Sequence, residues 1–190
     1  MSIYDIIDGH LTIIDDEVGV EFRDAKPMPE QEARFDKEGH LLWQGYFVNA
    51  LLHGPSKYYF ANGNLSSLSW YVEGKKMGKA QFYSEEGHLL HEASYRHGKL
   101  QGSENYYYSN GALKAQLMYE DGLLDGMVSL YYPHGALQRT LSLKNGKRHG
   151  TDRSFDEKGK ECFAFEYHEG RNIKTLIDDP IEIRYQAHLS

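Results

Sequence analysis

The sequence has little of the material from which secreted and membrane-spanning proteins are built. One cysteine, Cys162, stands among 190 residues, so an internal disulfide is excluded and a reducing compartment, by default the cytoplasm, is expected. No apolar run approaches the roughly 20 residues of a membrane-spanning helix. The opening stretch MSIYDIIDGHLTIIDDE carries acids where a secretory signal carries bases, and we therefore expect no secretion by that route.

A surplus of basic residues is also missing. The 28 acids outnumber the 21 lysines and arginines, which gives a net charge of −7. Phosphates would be repelled, so we expect no nucleic-acid partner, and binding to anionic membranes is disfavoured. The charge is compatible with a basic protein partner. The acidic stretches at 14–17 and 177–182 would attract such a partner, although stretches of this kind are more typical of solvated caps at sheet ends.

Motifs of catalysis and metal binding are absent too. Neither the zinc pattern HExxH nor the nucleophile elbow GxSxG occurs in the sequence. Among ten histidines, His88, His91 and His97 lie close together, but their spacing matches no metal site and a strand would place His88 and His91 on opposite faces. Cys162 lacks the context of a nucleophile. We therefore expect a non-enzymatic protein without catalytic residues, cofactor or metal.

What the chain has instead is a repeat. Glycine occurs 19 times and tyrosine 15 times, against five prolines, a composition that favours strands and tight turns. One glycine recurs every 24 residues, and we call it the anchor: Gly39, Gly63, Gly87, Gly111, Gly135 and Gly159. A second glycine follows 11 residues later, with Ala50 in its place in the first copy, and a third follows 15 residues later, with Lys174 in its place in the last. Atypical terminal copies are usual in repeat proteins.

Apolar columns share this period. An aromatic residue stands four before the anchor and a leucine two after it, except for Glu161 in the last copy. A third column stands eight after the anchor: Phe47, Tyr71, Tyr95, Tyr119, Leu143 and Tyr167. Each copy predicts a β-hairpin, because Asn-Gly between apolar runs is a strong hairpin signal. We expect a bulged three-residue turn at the anchor that sets Tyr59 opposite Leu65 and brings all three columns to one face.

The pattern YYxNGxLxxxxxYxxGxxxG resembles the MORN-variant repeat of many bacterial proteins, which include YwqK-type antitoxin and immunity proteins. The resemblance covers about 140 residues of the chain, where three glycine and three apolar columns match in phase. It implies an all-β, elongated meander of about six 24-residue hairpins, an open sheet or solenoid with terminal caps. We predict an N-terminal cap over 1–33, six repeats over 34–174 and a C-terminal cap over 175–190.

Binding residues should lie at the positions that vary between copies. On the face opposite the columns, where most copies are polar, we expect a patch of large apolar side chains that aromatic residues of later copies prolong. The candidate residues are Leu42, Tyr46, Tyr58, Phe60, Leu68, Trp70, Tyr106, Tyr108 and Tyr132. Such patches are typical of binding hot spots. The competing interpretation is that the N-terminal segment folds back over the patch as a cap.

The function expected from the repeat and the resemblance is protein binding without catalysis. The resemblance implies, more narrowly, an antitoxin or immunity protein that neutralises a toxin, such as a basic one, by occluding it. Two other classes stay open: a scaffold associated with membranes, and a translocated bacterial effector that binds a host protein. The sequence does not distinguish the partner, the oligomeric state or the face that binds.

Overall fold

The computed structural model describes the backbone of residues 2–7, 10–15, 20–23 and 30–178, and the side chains of residues 30–177. These residues form nineteen strands: β1 Ser2–Ile7, β2 His10–Asp15, β3 Val20–Arg23, β4 Glu30–Phe35, β5 Leu41–Val48, β6 Leu51–Leu52, β7 Gly54–Tyr59, β8 Leu65–Val72, β9 Lys75–Lys76, β10 Gly78–Tyr83, β11 Leu89–Arg96, β12 Lys99–Tyr107, β13 Leu113–Glu120, β14 Leu123–Leu124, β15 Gly126–Tyr131, β16 Leu137–Lys144, β17 Lys147–Phe155, β18 Glu161–His168 and β19 Arg171–Asp178. The described residues contain no helix, and hence none of the length and apolarity that crossing a membrane would require.

The strands form two antiparallel sheets. Strands β1, β2 and β3 pair in that order, and the other sixteen form one open sheet. Thirteen strands of the large sheet follow one another in chain order from β4 to β19, while the two-residue strands β6, β9 and β14 pair beside this path. The prediction of an all-β meander of hairpin repeats is confirmed. The domain boundaries at 33/34 and 174/175 stay predictions.

The anchor turn has the predicted bulge. Gly63 has a φ of 85°, in the left-handed region, and Tyr59 pairs with Leu65 after a break in register between Tyr58 and Tyr59. The neighbouring pair joins Tyr58 to Ser67, so Ser66 is the extra residue of the bulge. That extra residue inverts the alternation of the long strand, and Tyr71 therefore lies opposite Gly54, on the other face from Tyr59. The prediction that all three apolar columns share a face was wrong for the third column.

The second turn of each copy is a two-residue hairpin loop. Glu73 and Gly74 have φ angles of 50° and 74°, the pair of positive values that a type I′ turn requires. The first position is never glycine, and every copy holds it in the left-handed region: Asn49, Glu73, His97, Asp121, Asn145 and Glu169. Ala50, at the second position of the first copy, has a φ of 61°, a conformation that costs a non-glycine residue roughly 1–2 kcal/mol.

Both long rims of the sheet are joined from copy to copy by hydrogen bonds. On the rim of the second turns, the Gly74 amide donates to the Leu52 carbonyl at 2.8 Å, and the corresponding bond recurs down to Gly170 and Arg148. On the rim of the anchor turns, Asn110 Nδ2 donates to the Pro133 carbonyl at 2.9 Å. Neighbouring copies are therefore joined at the rim of the second turns as well as along their strands, and several of them also at the rim of the anchor turns.

The sheet has a thin core. Most of the buried apolar side chains of the described residues are small. The residues concerned are Trp43, Trp70, Ala80, Ala93, Ala115, Cys162 and Ala164. Trp43 and Trp70, the two large ones, lie on opposite faces, since Trp43 pairs with Tyr58 whereas Trp70 pairs with Pro55 of the same strand. Most aromatic side chains consequently remain half-buried and reachable from solvent.

Candidate binding surface

Two continuous rows of side chains cross the large sheet, one on each face. The row on what we call the Glu104 face joins directly paired residues from strand to strand: Arg34, Trp43, Tyr58, Ser67, Phe82, His91, Tyr106, Ala115, Leu130, Arg139, Ser154 and Phe163. The adjacent row on the opposite face, the Glu92 face, is mainly polar and runs through Leu68, Gln81, Glu92, Asn105, Gln116 and Ser129. The aromatic side chains of the central rows are thus concentrated on the Glu104 face.

The first aromatic group of this row surrounds Trp43. The indole Nε1 of Trp43 donates to Ser56 Oγ at 2.8 Å, and its ring lies 6.0 Å from that of Phe47 and 6.2 Å from that of Tyr58. The Arg34 guanidinium carbon lies 5.1 Å from the Trp43 ring centroid, within the range of a cation–π contact. Trp43 is buried, but Tyr58 is 53% exposed and presents its ring to solvent.

The second group is a stack of three rings above a buried acid. His91 lies between Phe82, at 5.2 Å, and Tyr106, at 4.4 Å, in two stacked arrangements. Glu104 is 8% exposed. Its Oε1 lies 2.9 Å from His91 Nε2 and accepts a hydrogen bond from the Tyr106 hydroxyl at 3.1 Å. Tyr106 itself is 38% exposed.

The Glu104 carboxylate affects the tyrosines around it. Burial, followed by a hydrogen bond to Glu104 and its charge, raises the pKa of Tyr119 to about 12. Burial and then the Glu104 charge also raise the pKa of Tyr95 and of Tyr106 above the ordinary value. Three phenols therefore stay protonated around one acid at any pH below about 10.

Cations of the chain itself lie on this aromatic face. Lys76 Nζ lies 4.9 Å from the Tyr95 ring centroid and 5.9 Å from that of Phe82, and burial lowers the pKa of Lys76. Farther along, Arg139 and Arg148 lie over Phe163 and Tyr167, at 5.6 and 5.1 Å. The face therefore has rings that a lysine or arginine can stack on at several places.

A second buried acid occurs near the C-terminal end. Asp152 is 1% exposed, and Arg139 donates to its two oxygens at 2.8 and 2.7 Å. Arg148 Nη1 lies 3.8 Å from the same carboxylate. A bidentate arginine pair of this kind compensates the desolvation of a buried charge.

The Glu92 face carries a network of neutral and charged polar groups instead. Glu92 Oε1 accepts from Asn105 Nδ2 and from the Tyr107 hydroxyl, both at 3.1 Å. Gln116 continues this network to Asn105 at 3.1 Å, and Lys79 Nζ lies 3.8 Å from Glu92 Oε2. Burial, the Glu92 charge and the hydrogen bond to Glu92 together raise the pKa of Tyr107 to about 12.

The nine residues predicted for binding do not form one patch. Tyr58 and Tyr106 lie in the central row of the Glu104 face, whereas Leu68 pairs with Gln81 on the Glu92 face. Trp70 and Tyr46 also belong to the Glu92 face. The expectation that Tyr58 shares a face with Leu68 and Trp70 was wrong, because the bulge changes the alternation between them. Their roles in binding stay predictions.

The other candidates lie at the anchor-turn rim or in a bulge. The amides of Phe60, Tyr108 and Tyr132 each donate across the anchor turn, and the Tyr108 and Tyr132 hydroxyls donate to carbonyls of the next copy, at 2.7 and 2.9 Å. The two tyrosines thus join copies together. Leu42 lies in the bulge of β5 between paired Leu41 and Trp43 and is 37% exposed.

Sequence reasoning missed the residues that complete the Glu104 face. Trp43, Phe82 and Glu104 were outside the predicted patch, and His91 was weighed only as a metal ligand. A signal was available for Glu104: it stands seven residues before its anchor, where the other copies have Glu32, Ser56, Ala80, Val128 and Asp152. Acids in three copies of a column that is otherwise small or apolar indicate positions with a special role, and two of the three, Glu104 and Asp152, are buried.

One exposed group has the ligand types of a metal site. Ligand atoms of Asp36, Glu38 and His40 lie within 4.8 Å of one another at the first anchor turn. Asp36 Oδ1 accepts from the Glu38 and His40 amides, at 2.9 and 2.8 Å, and its Oδ2 lies 2.8 Å from His40 Nδ1. These bonds account for the group as a turn cap, and we assign no metal to it.

Comparison with known proteins agrees with the repeat read from the sequence. Residues 52–71, 78–97 and 98–121 match the family model described as the MORN repeat variant. These three segments are similar to the MORN repeat variant. No curated protein sequence matches the chain. One similar solved structure is an alternansucrase, ASR, in complex with isomaltononaose, with 15% identity and a TM-score of 0.17; the alignment covers 90% of this chain and 18% of that one. A likeness of this extent supports no conclusion about fold or function.

Proposed function

We propose that this protein is a non-enzymatic module that binds another protein on its Glu104 face. The observation that carries the proposal is the aromatic central row, in which Tyr58 and Tyr106 remain 53% and 38% exposed beside the well-packed Trp43 and His91. Rigid aromatic side chains that are held by neighbours and open to solvent are typical of binding hot spots. MORN repeats are typically binding modules for proteins or membranes, and the family is generally non-enzymatic, which supports the same conclusion.

The finer proposal is an antitoxin or immunity protein in a reducing, cytoplasmic location that occludes a basic toxin. The net charge of −7 supports a basic partner, since opposite charge accelerates encounter. The buried Glu104 carboxylate adds negative charge to the aromatic face. An open sheet of sixteen strands offers the extended area that occlusion of another protein requires.

Affinity capture with the tagged protein from its native cell lysate tests the binding function. We expect one stoichiometric protein partner, identified by mass spectrometry, with wild type. The double variant Tyr58→Ser/Tyr106→Ser should lose it, while Met127→Ser should retain it, because Met127 is 50% exposed but pairs with Ser142 on the Glu92 face. Recovery that needs anionic liposomes, or no partner at all, would contradict the protein-binding proposal.

The toxin proposal has a separate test. The captured partner should arrest growth when expressed alone, and co-expression of wild type should restore growth. The Tyr58→Ser/Tyr106→Ser variant should fail to do so at equal abundance. A partner that does not arrest growth would contradict the antitoxin proposal but not the protein-binding proposal.

A further inference from the structure

The two buried acids of the Glu104 face occupy the same position in different copies. Glu104 and Asp152 each stand seven residues before an anchor glycine, Gly111 and Gly159. Both side chains lie on the same face, because Glu104 pairs with Ala93 and Asp152 pairs with Leu141, six residues after the preceding anchor in each case. Glu32 holds this position in the first copy but is exposed, so the described residues contain two buried versions of one acidic site, which can be compared directly.

The C-terminal version is neutralised by the chain itself. Arg139 stands four residues after the anchor of the preceding copy and binds Asp152 through two oxygens at 2.8 and 2.7 Å. Arg148 adds a second guanidinium at 3.8 Å. Two permanent positive charges thus surround one carboxylate that is 1% exposed.

The central version lacks these charges. The position of Arg139 is taken by His91, and the position of Arg148 is taken by Leu100. Glu104 consequently relies on the His91 ring at 2.9 Å and on tyrosine hydroxyls. The tyrosine hydroxyls carry no charge and the His91 ring is charged only when protonated, whereas the two arginines beside Asp152 are always charged.

The surroundings of Glu104 are those of a receptor for a cation. Tyr95 and Tyr119 lie on the same face as the acid, each two residues from the residue that pairs with Glu104. Tyr106 donates to Glu104 at 3.1 Å and is exposed enough to be reached from solvent. On the same face, Lys76 already stacks on Tyr95 at 4.9 Å. Aromatic faces combined with a carboxylate form the usual recognition site for ammonium and guanidinium groups.

We propose that the Glu104 site binds one lysine or arginine side chain of the protein partner, which supplies the positive charge that Arg139 and Arg148 supply to Asp152. This inference rests on the proposed protein-binding function and names the chemistry of that contact. The partner cation stacks on the Tyr106 and Tyr119 rings and approaches the Glu104 carboxylate. The binding energy is concentrated there because the acid is already desolvated and the rings are already ordered.

A titration of the full chain with small cations tests the site without the partner. The probes are N-acetyl-arginine methylamide and N-acetyl-lysine methylamide, with N-acetyl-norleucine methylamide as the neutral control, followed by NMR of ring-labelled tyrosines. We expect saturable shifts of the Tyr106 and Tyr119 signals with the two cations, with dissociation constants on the order of 1–10 mM for ligands of this size. Absence of saturation, or equal shifts with norleucine, would overturn the proposal.

Three variants test whether cation binding in this titration depends on the Glu104 carboxylate. Glu104→Gln keeps the size of the side chain and should weaken cation binding about tenfold or more. Glu92→Gln, the matched change on the opposite face, should leave binding unchanged. His91→Arg restores the arrangement of the C-terminal site, so it should raise the melting temperature and abolish the shifts. Full cation binding by His91→Arg would contradict the proposal even if Glu104→Gln proved unstable.

The captured partner separates this proposal from the proposed function. If wild type captures a protein and Glu104→Gln captures it equally well, the cation site is wrong while the binding function stands. Failure of wild type to capture any protein would remove the binding function itself. Glu104-dependent sedimentation with phosphatidylcholine vesicles, whose zwitterionic headgroup carries a cationic choline, would overturn the assignment to a protein side chain.

Discussion

At the scale of single residues, equivalent positions in different copies have the same backbone pairing, whereas their side chains differ from copy to copy. Glu104 and Asp152 illustrate this, since the acid at the same backbone position is neutralised by arginines in one copy and hydrogen-bonded by histidine and tyrosine in the other. The two tryptophans are each buried at a different position on a different face. Specific chemistry in this protein therefore comes from departures from the repeat.

Ala50 is a departure that costs stability. Its φ of 61° lies in the left-handed region, where the equivalent residues are the glycines of the later second turns. We expect Ala50→Gly to raise the free energy of unfolding by about 0.5–1 kcal/mol, because glycine adopts this conformation without a Cβ clash. Urea denaturation measures the change. Ala61→Gly, in an anchor turn at a position without a positive φ, should give no gain, and an equal gain there would contradict the explanation.

Tyr107 makes stability depend on alkaline pH. Burial, then the Glu92 charge and hydrogen bond, raise its pKa from 10.0 to about 12. The folded state therefore holds the phenol proton more tightly than the unfolded state. The stabilisation this provides is complete below pH 10 and is lost as the pH rises from 10 through about 12.

The variant Tyr107→Phe isolates this effect. At pH 8 it should be less stable than wild type by about 1 kcal/mol, since it loses the hydrogen bond to Glu92. Urea unfolding at a series of pH values above 9 should show the two proteins converging as the tyrosine ionises. A constant difference between them across that range would show that Tyr107 does not titrate as described.

At the scale of the hairpin, turns decide both the register and the face of every side chain. The anchor turn was predictable because a glycine at a fixed place after an aromatic strand favours a bulged loop, and the pairing of Tyr59 with Leu65 follows from it. The face of Tyr71 was not predicted, because counting in steps of two ignores the extra residue at Ser66. One bulged residue was enough to divide the predicted patch between two faces.

The turns also join neighbouring hairpins, and Asn110 allows this contribution to be measured. Its Oδ1 accepts from the Ala112 amide at 3.0 Å within the turn, while its Nδ2 donates to Pro133 of the next copy at 2.9 Å. Asn110→Asp keeps the acceptor and removes the donor, so we expect a loss of about 1 kcal/mol from the bond between copies. Asn110→Ala should lose about 1–2 kcal/mol because both bonds go. Urea denaturation distinguishes the two, and equal stability of wild type and Asn110→Asp would contradict the role of the bond.

At the scale of the whole molecule, the large sheet has neighbours only along one direction. Each strand on the path from β4 to β19 pairs with the strands immediately before and after it, so stability is the sum of local terms and interfaces between copies. The repeat made this architecture predictable from the sequence. The binding surface was less predictable, because the stack of Phe82, His91 and Tyr106 joins residues from three strands whose pairing depends on two successive bulges.

Such a sheet should lose structure locally when one copy is weakened, and Asp152 provides the test. Asp152→Asn removes the carboxylate that Arg139 binds through two hydrogen bonds in a site that is 1% exposed. Breaking a buried ion pair typically costs about 3–5 kcal/mol, and partial exposure of Arg139 puts the expected loss near the lower value, about 3 kcal/mol. Glu104→Gln is the matched variant in the central copy, and it should cost about 1 kcal/mol because no arginine loses its partner there.

Hydrogen exchange measured peptide by peptide shows where the loss falls. In Asp152→Asn, amides of residues 137–178 should exchange faster, because the hairpins around Asp152 open more often. Amides of residues 41–96 should keep their wild-type protection, since the intervening copies transmit little of the change in a one-dimensional array. An equal loss of protection in both segments would mean that the sixteen-stranded sheet opens as one cooperative unit. Binding of a partner to one copy would then depend on the stability of all six copies.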